Sequence, residues 1–168
     1  MTFRDISRLA PPPGVMKNDP RYASARIPPF DNPLGAREGD IVSVRGWLHC
    51  VALSKEGSYN VHLTGSPHSF DQYVVIEFPD HERMADPTLR SPVQTARQFL
   101  KSQILAGKDP PREGALLGDA PYVQVTGQLF FNDAHVGDQP RPDKQGTHRA
   151  SFWEIHPGLK IEFAPKPR

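Results

Sequence analysis

Three polar side chains late in the sequence have the types and spacing to do chemistry. Glu154 and His156 stand two apart in the run Trp153-Glu154-Ile155-His156. In a strand that spacing puts both on one face and leaves Trp153 and Ile155 for the other. His135 follows an earlier strand-like run that ends near residue 132. If these two strands pair, His135, Glu154 and His156 converge. Two imidazoles and a carboxylate suit a divalent ion such as zinc or iron with positions left open for water, and such an ion supports hydrolysis. The simpler reading keeps Glu154 and His156 as hydrogen-bonding groups that fix the intervening loop. The sequence therefore carries a metal-dependent hydrolase or nuclease reading on these three residues, with a divalent metal as its cofactor.

A second group suits binding rather than bond-breaking. His62 and Glu77 fall on neighbouring expected strands, each opposite the apolar side, which makes a cross-strand pair. Tyr73 adds a flat ring nearby, with Trp47 and His49 as further candidates; Trp47 is expected to be core, as large aromatics usually are. Arg141, Lys144, His148 and Arg149 give the long loop before residue 150 a positive character, and Arg141 and Arg149 are its candidate ligand-binding residues. Asp133, Asp138 and Asp143 lie in the same loop without the spacing of a calcium hand and read as solvated. The sequence has no phosphate-binding glycine loop, no C-x-x-C and no nucleophile elbow.

These residues need a scaffold, and the apolar periodicity supplies one. Strand patterns cover 41–53, 59–65, 72–79, 121–132 and part of 149–163. Lys55-Glu56-Gly57-Ser58 reads as a hairpin turn. Ser91 as N-cap and Pro92 at the first position open the one long helix, which Gly107 stops. Strand, strand, strand, helix, strand, strand is the order of a five-stranded OB-like barrel. Val42-x-Val44-x-Gly46-x-Leu48 and Val123-x-Val125-x-Gly127-x-Leu129 share one pattern, and each mid-strand glycine marks a bend or bulge. Residues 1–38 are proline-rich and read as an extended arm on a barrel domain of 39–165.

Composition bounds what such a domain does. The chain has 168 residues, 20 basic and 19 acidic, for a net charge of +1. Near balance disfavours bulk electrostatic capture of nucleic acid, although a local basic groove stays open. The single cysteine, Cys50, leaves no internal disulfide and no cysteine-based zinc site. No apolar run is long enough to span a membrane, and the first residues lack the apolar stretch of a signal peptide. As written, the chain reads as soluble and cytoplasmic.

From Tyr59 onward the sequence resembles a bacterial family of OB-fold-like proteins, most without a settled biochemical activity. The matching residues are Ser58-Tyr59-Asn60-Val61-His62-Leu63, Glu77-Phe78-Pro79, Ser91-Pro92 with Ala96-Arg97, Val125-Thr126-Gly127-x-Leu129-Phe130-Phe131, Ala134-His135 and Trp153-Glu154-Ile155-His156-Pro157. The resemblance implies the barrel fold and a shared surface, in a family whose members are often exported. Members often carry His directly after the second-strand tyrosine, where this chain has Asn60. The expectation is a non-enzymatic binding module for single-stranded nucleic acid, an oligosaccharide or a small polar ligand. The metal-dependent enzyme above is one alternative. The other is an assembly component that docks a protein partner through the arm.

Overall fold

The computed structural model describes residues 1–137 and 148–167. Its strands are β1 (Ile41–Leu53), β2 (Tyr59–Thr64), β3 (Gln72–Phe78), β4 (Ala115–Leu116), β5 (Tyr122–Phe131), β6 (His148–Arg149) and β7 (Trp153–Phe163). Among the described residues the five long strands close a barrel in the order β1, β2, β3, β7, β5 and back to β1. The pairs are antiparallel except β3 with β7, which run parallel where Ile76 faces Ile155. With a helix between β3 and β5, this is the expected OB-like topology. The two-residue strands carry no readable period and were not foreseen. β4 pairs with β1 at Cys50 and Val51, and β6 lies parallel to β3 at Gln72 and Tyr73.

β1 serves both sides of the barrel. Ile41 to Trp47 pair with β5, and Trp47 to Leu53 pair with β2. The β1–β2 register shifts between Leu48 and Cys50. Strict alternation puts Leu48 and Val51 on opposite faces, but both are fully buried in one core. The bulge at His49 inserts the extra residue that brings them to the same side. The second bend lies at Gly127, where the β5–β7 register shifts on both sides. A Cβ there would stand 2.4 Å from the Pro157 carbonyl oxygen and 2.5 Å from Ile155 Cγ2. Gly158, its partner across the ladder, leaves the room that the Phe78 ring fills. Glycine is needed at Gly127 for close backbone approach rather than for an unusual backbone angle. The His156–Pro157 peptide beside this bend is cis.

The core joins Val44, Leu48, Val61, Leu63, Val74, Ile76, Phe78, Val125, Leu129, Trp153 and Ile155 from the five long strands. One end is plugged by a helix, labelled α2 here, spanning Arg90–Phe99 and continued by one wider turn over Leu100–Ile104. Val93, Ala96 and Leu100 point into the barrel. Ser91 is not its cap. Asp86 caps a preceding 3-10 turn (Pro87–Leu89) with Pro87 in its first position, and the helix grows directly out of that turn. That earlier start supersedes the Ser91-Pro92 signal, because Asp-Pro offers the same chemistry one turn sooner. Arg97 pins the helix to the sheet. Its Nη1 donates to the carbonyls of Gly57, Phe78 and Pro79 at 2.9, 2.9 and 3.1 Å, and its guanidinium lies 3.8 Å from the Tyr59 ring centroid. The Tyr59 hydroxyl donates to Asp109, which also pairs with Lys101 at 3.1 Å.

The arm is packed on the barrel. Its short helix α1 (Phe3–Ser7) opens with a reciprocal Thr2–Asp5 capping box, and Ile6 is completely buried. Leu9, Ile27 and Ala36 join the same core. Polar ties complete the attachment. Trp153 Nε1 donates to the Ala10 carbonyl at 2.9 Å, and the Glu38 carboxylate accepts from the amides of Ile27 and Phe131 at 2.6 and 3.2 Å. Asp19 is buried and its carboxyl is held far below the usual range by the Arg21 guanidinium. The Asp19 amide in turn donates to Asp133 at 2.7 Å, beyond the end of β5.

Two outcomes follow from these contacts. Gly127→Val is expected to destabilise the fold by about 1–3 kcal/mol, the usual cost of forcing extra methyls into a filled space, measured by urea unfolding; a midpoint equal to wild type would contradict the close approach. Burial, with the Asp109 hydrogen bond second, raises the Tyr59 phenol from 10.0 to about 12. A folded-state value above the unfolded one means the folded chain keeps its proton longer, so this contribution is intact below pH 10 and is lost as pH rises towards 12. Tyr59→Phe should therefore flatten the alkaline fall in stability and remove one late tyrosine ionisation from the absorbance titration at ~295 nm.

Candidate functional site

The site grows from the alternation of β7. Trp153 and Ile155 enter the core as expected, and Glu154 and His156 take the other side. Glu154 is nonetheless 1% exposed. A carboxylate taken out of water must be paired and hydrogen-bonded. Both needs are met at one oxygen: Arg149 on β6 forms an ion pair with Glu154 Oε1, and Asn132 Nδ2 donates to the same atom at 3.0 Å. Removing one partner of such a buried pair typically costs about 3–5 kcal/mol, so Arg149 is a structural residue before it is anything else.

The third member of the cluster is Glu77, and here the sequence expectation is corrected. The ladder sets Ile76 against Ile155, which carries Glu77 beside the two polar residues flanking Ile155. Glu77, Glu154 and His156 each bring a ligand atom within 4.8 Å of the others. His156 Nδ1 lies 3.5 Å from Glu77 Oε2, and the Phe130 ring meets the imidazole edge-on at 5.3 Å. His135 is not the partner it was expected to be. β5 stops at Phe131, and the chain turns away through the 3-10 turn Asp133–His135, so His135 stacks on Phe152 with centroids 6.3 Å apart. The expected His62–Glu77 pair is also replaced. The β2–β3 register sets Asn60 opposite Glu77 and His62 opposite Val75. His62 instead stacks flat on Tyr73, 3.9 Å between centroids, in a cluster completed by Phe70 and His49.

A cavity of about 880 Å³ opens beside this cluster, between the arm and the barrel. Tyr73, His135 and Arg149 line it, together with Phe152, Trp153 and arm residues from Ser7 to Pro11. Three residues singled out from the sequence thus share one concave wall, although not in the combinations expected. Trp47 is buried against Tyr122, as its size suggested. Arg141 lies outside the described residues, as do Asp138, Asp143 and Lys144. Phe152 and the arm residue Arg8 were missed, and Asn132, considered with Asp133 and Asp138 for a hard cation, was not foreseen as the partner of Glu154. Asn132 had a usable signal, a polar residue placed to meet Glu154 once two strands pair; nothing in the proline-rich arm marked Arg8. No helix among the described residues is long and apolar enough to cross a membrane.

No protein-family model and no curated protein matches the sequence. Among solved structures the chain is similar to two OBodies bound to hen egg-white lysozyme. OBody AM3L15 is 12% identical over 77% of this chain and 85% of its own, with a TM-score of 0.41. OBody AM1L10 is 12% identical over 77% and 83%, with a TM-score of 0.37. It is also similar to Entamoeba histolytica asparaginyl-tRNA synthetase in complex with asparaginyl-adenylate, at 12% identity and a TM-score of 0.38, covering 84% of this chain and 25% of the synthetase.

Proposed function

We propose that the chain is a non-enzymatic binding module whose ligand occupies the cavity between the arm and the barrel, and that this ligand is a small polar molecule with a planar ring and an anionic group. The observation that carries the reading is the cavity wall itself. Its volume of about 880 Å³ suits one small molecule. Phe152 and Tyr73 supply ring surface, while Arg8, His135 and Arg149 supply cationic or hydrogen-bonding groups. Rings for shape and a few convergent polar groups for orientation are how small-ligand sites are built. The cavity also borders the segment between the last two long strands, a region OB barrels commonly use for ligands; that support is by analogy of fold. The net charge of +1 favours a small ligand over a long polyanion. The arm's apolar residues are spent on the chain's own core, which weighs against a free docking arm.

Three probes separate the classes: adenosine 5′-monophosphate as a ringed anion, maltotriose as a neutral sugar, and a short oligothymidylate as a single strand, each titrated by calorimetry at low salt. The mononucleotide is expected to bind, and His135→Ala or Arg8→Ser to weaken it about tenfold, or about 1.4 kcal/mol. The neutral sugar should not compete. No binding by any probe, or equal binding by the variants, would sink the cavity reading, and tighter binding of the oligothymidylate would move the ligand class to nucleic acid.

A further inference from the structure

We propose that Glu77, Glu154 and His156 bind one divalent transition-metal ion on the outside of the barrel, and that the ion staples β3 to β7. This goes beyond the cavity reading and does not rest on it, since neither Glu77 nor His156 lines the cavity.

The donor geometry is the first argument. Two ligand atoms each about 2.1 Å from a tetrahedral ion stand about 3.4 Å apart. His156 Nδ1 and Glu77 Oε2 are already 3.5 Å apart, and all three ligand atoms fall within 4.8 Å. The His156–Glu77 spacing already fits, and side-chain rotation of these two partly exposed groups would bring them onto the fixed Glu154 carboxylate. The groups behind the ligands form the second argument. Arg149 and Asn132 both hold Glu154 through Oε1, which fixes the carboxylate. Phe130 braces the His156 ring. Metal ligands are oriented by such supports.

Charge and an unsatisfied acceptor add to this. Two carboxylates face each other, and the permanent cation paired with them among the described residues is Arg149. Across β2–β3 from Glu77, the buried Asn60 Oδ1 has no hydrogen-bond partner. A water on the ion would donate to it. The donor set selects the metal class. One imidazole and two carboxylates suit zinc, manganese or iron(II), whereas calcium takes six to eight oxygens. Glu77 and His156 are 23% and 33% exposed, so an ion reaches them from solvent and keeps water in its remaining positions.

The location says what the ion does. β3 and β7 close the barrel by parallel pairing with Ile76 against Ile155 as their register pair. Glu77 follows Ile76, and Glu154 and His156 flank Ile155. An ion held by all three ties the seam from outside, opposite the apolar contact that ties it from within.

The test uses untagged full-length protein, stripped with a chelator and titrated with Zn²⁺, Mn²⁺ and Ca²⁺ by calorimetry and thermal unfolding. One equivalent of Zn²⁺ should bind and raise Tm by about 8 °C at a hundredfold excess over Kd. Glu77→Gln and His156→Gln should each weaken binding about tenfold or more while the metal-free circular dichroism spectrum stays that of wild type. A His68→Ala, His81→Ala control should bind as wild type does. Should a variant prove unstable, Co²⁺ bound to the wild-type protein reports the site by its visible absorption, with imidazole nitrogen ligation read by magnetic resonance. No saturable uptake by the wild type, uptake unchanged by both ligand substitutions, or a preference for Ca²⁺ would overturn the proposal.

Discussion

A carboxylate buried on the outer face of a strand constrains everything around it. Glu154 has given up water, and its charge is answered by Arg149 and Asn132, which come from two other places in the chain. To bring Arg149 within reach, β6 must lie along β3, where the His148 amide donates to the Asp71 carbonyl at 2.9 Å and the Ala150 amide to the Tyr73 carbonyl at 2.7 Å. To bring Asn132 within reach, the chain must leave β5 at Phe131 and close on Phe152, through an amide–carbonyl bond of 2.8 Å. The cavity wall and the acid–imidazole cluster are the two sides of this one arrangement. Neither survives unaltered if the ion pair is broken, because the unpaired charge left behind is the costly species.

The barrel around it is shaped by two irregularities. The bulge at His49 lets β1 turn from β5 to β2 without exposing its apolar residues, and the Gly127–Gly158 pair lets β5 and β7 approach closely enough for Phe78 to fill the gap. Both are local departures from period-two pairing that serve a global closure. α2 then seals the end that the strands leave open, and Arg97 satisfies three carbonyls where β3 ends, a place where unpaired backbone would otherwise be stranded.

The scaffold was legible because its signals are local. Alternation located the long strands to within a residue or two, Gly127 marked one bend while the other lies at His49 rather than at Gly46, and helical spacing found α2. Burial of Trp153 and Ile155, with Glu154 and His156 opposite, followed from strand geometry alone. Pairing was not legible in the same way. Whether Glu77 meets His62 or Asn60 depends on the antiparallel β2–β3 register, and its approach to His156 on the parallel β3–β7 seam; a shift of two residues changes the partner without changing any residue's face. His135 was misplaced because a short turn after Phe131 carries it off the ladder. The arm's docking was hidden for a different reason: its buried residues, Ile6, Leu9, Ile27 and Ala36, are spread among prolines without any period to announce a face.

The attachment of the arm also sets an order of events. The bond from Trp153 Nε1 to the Ala10 carbonyl joins residues 143 apart in sequence. During synthesis the arm leaves the ribosome long before β7 exists to receive it. The segment around Ala10 therefore waits for β7 before this contact can form. Contacts of such long range slow folding.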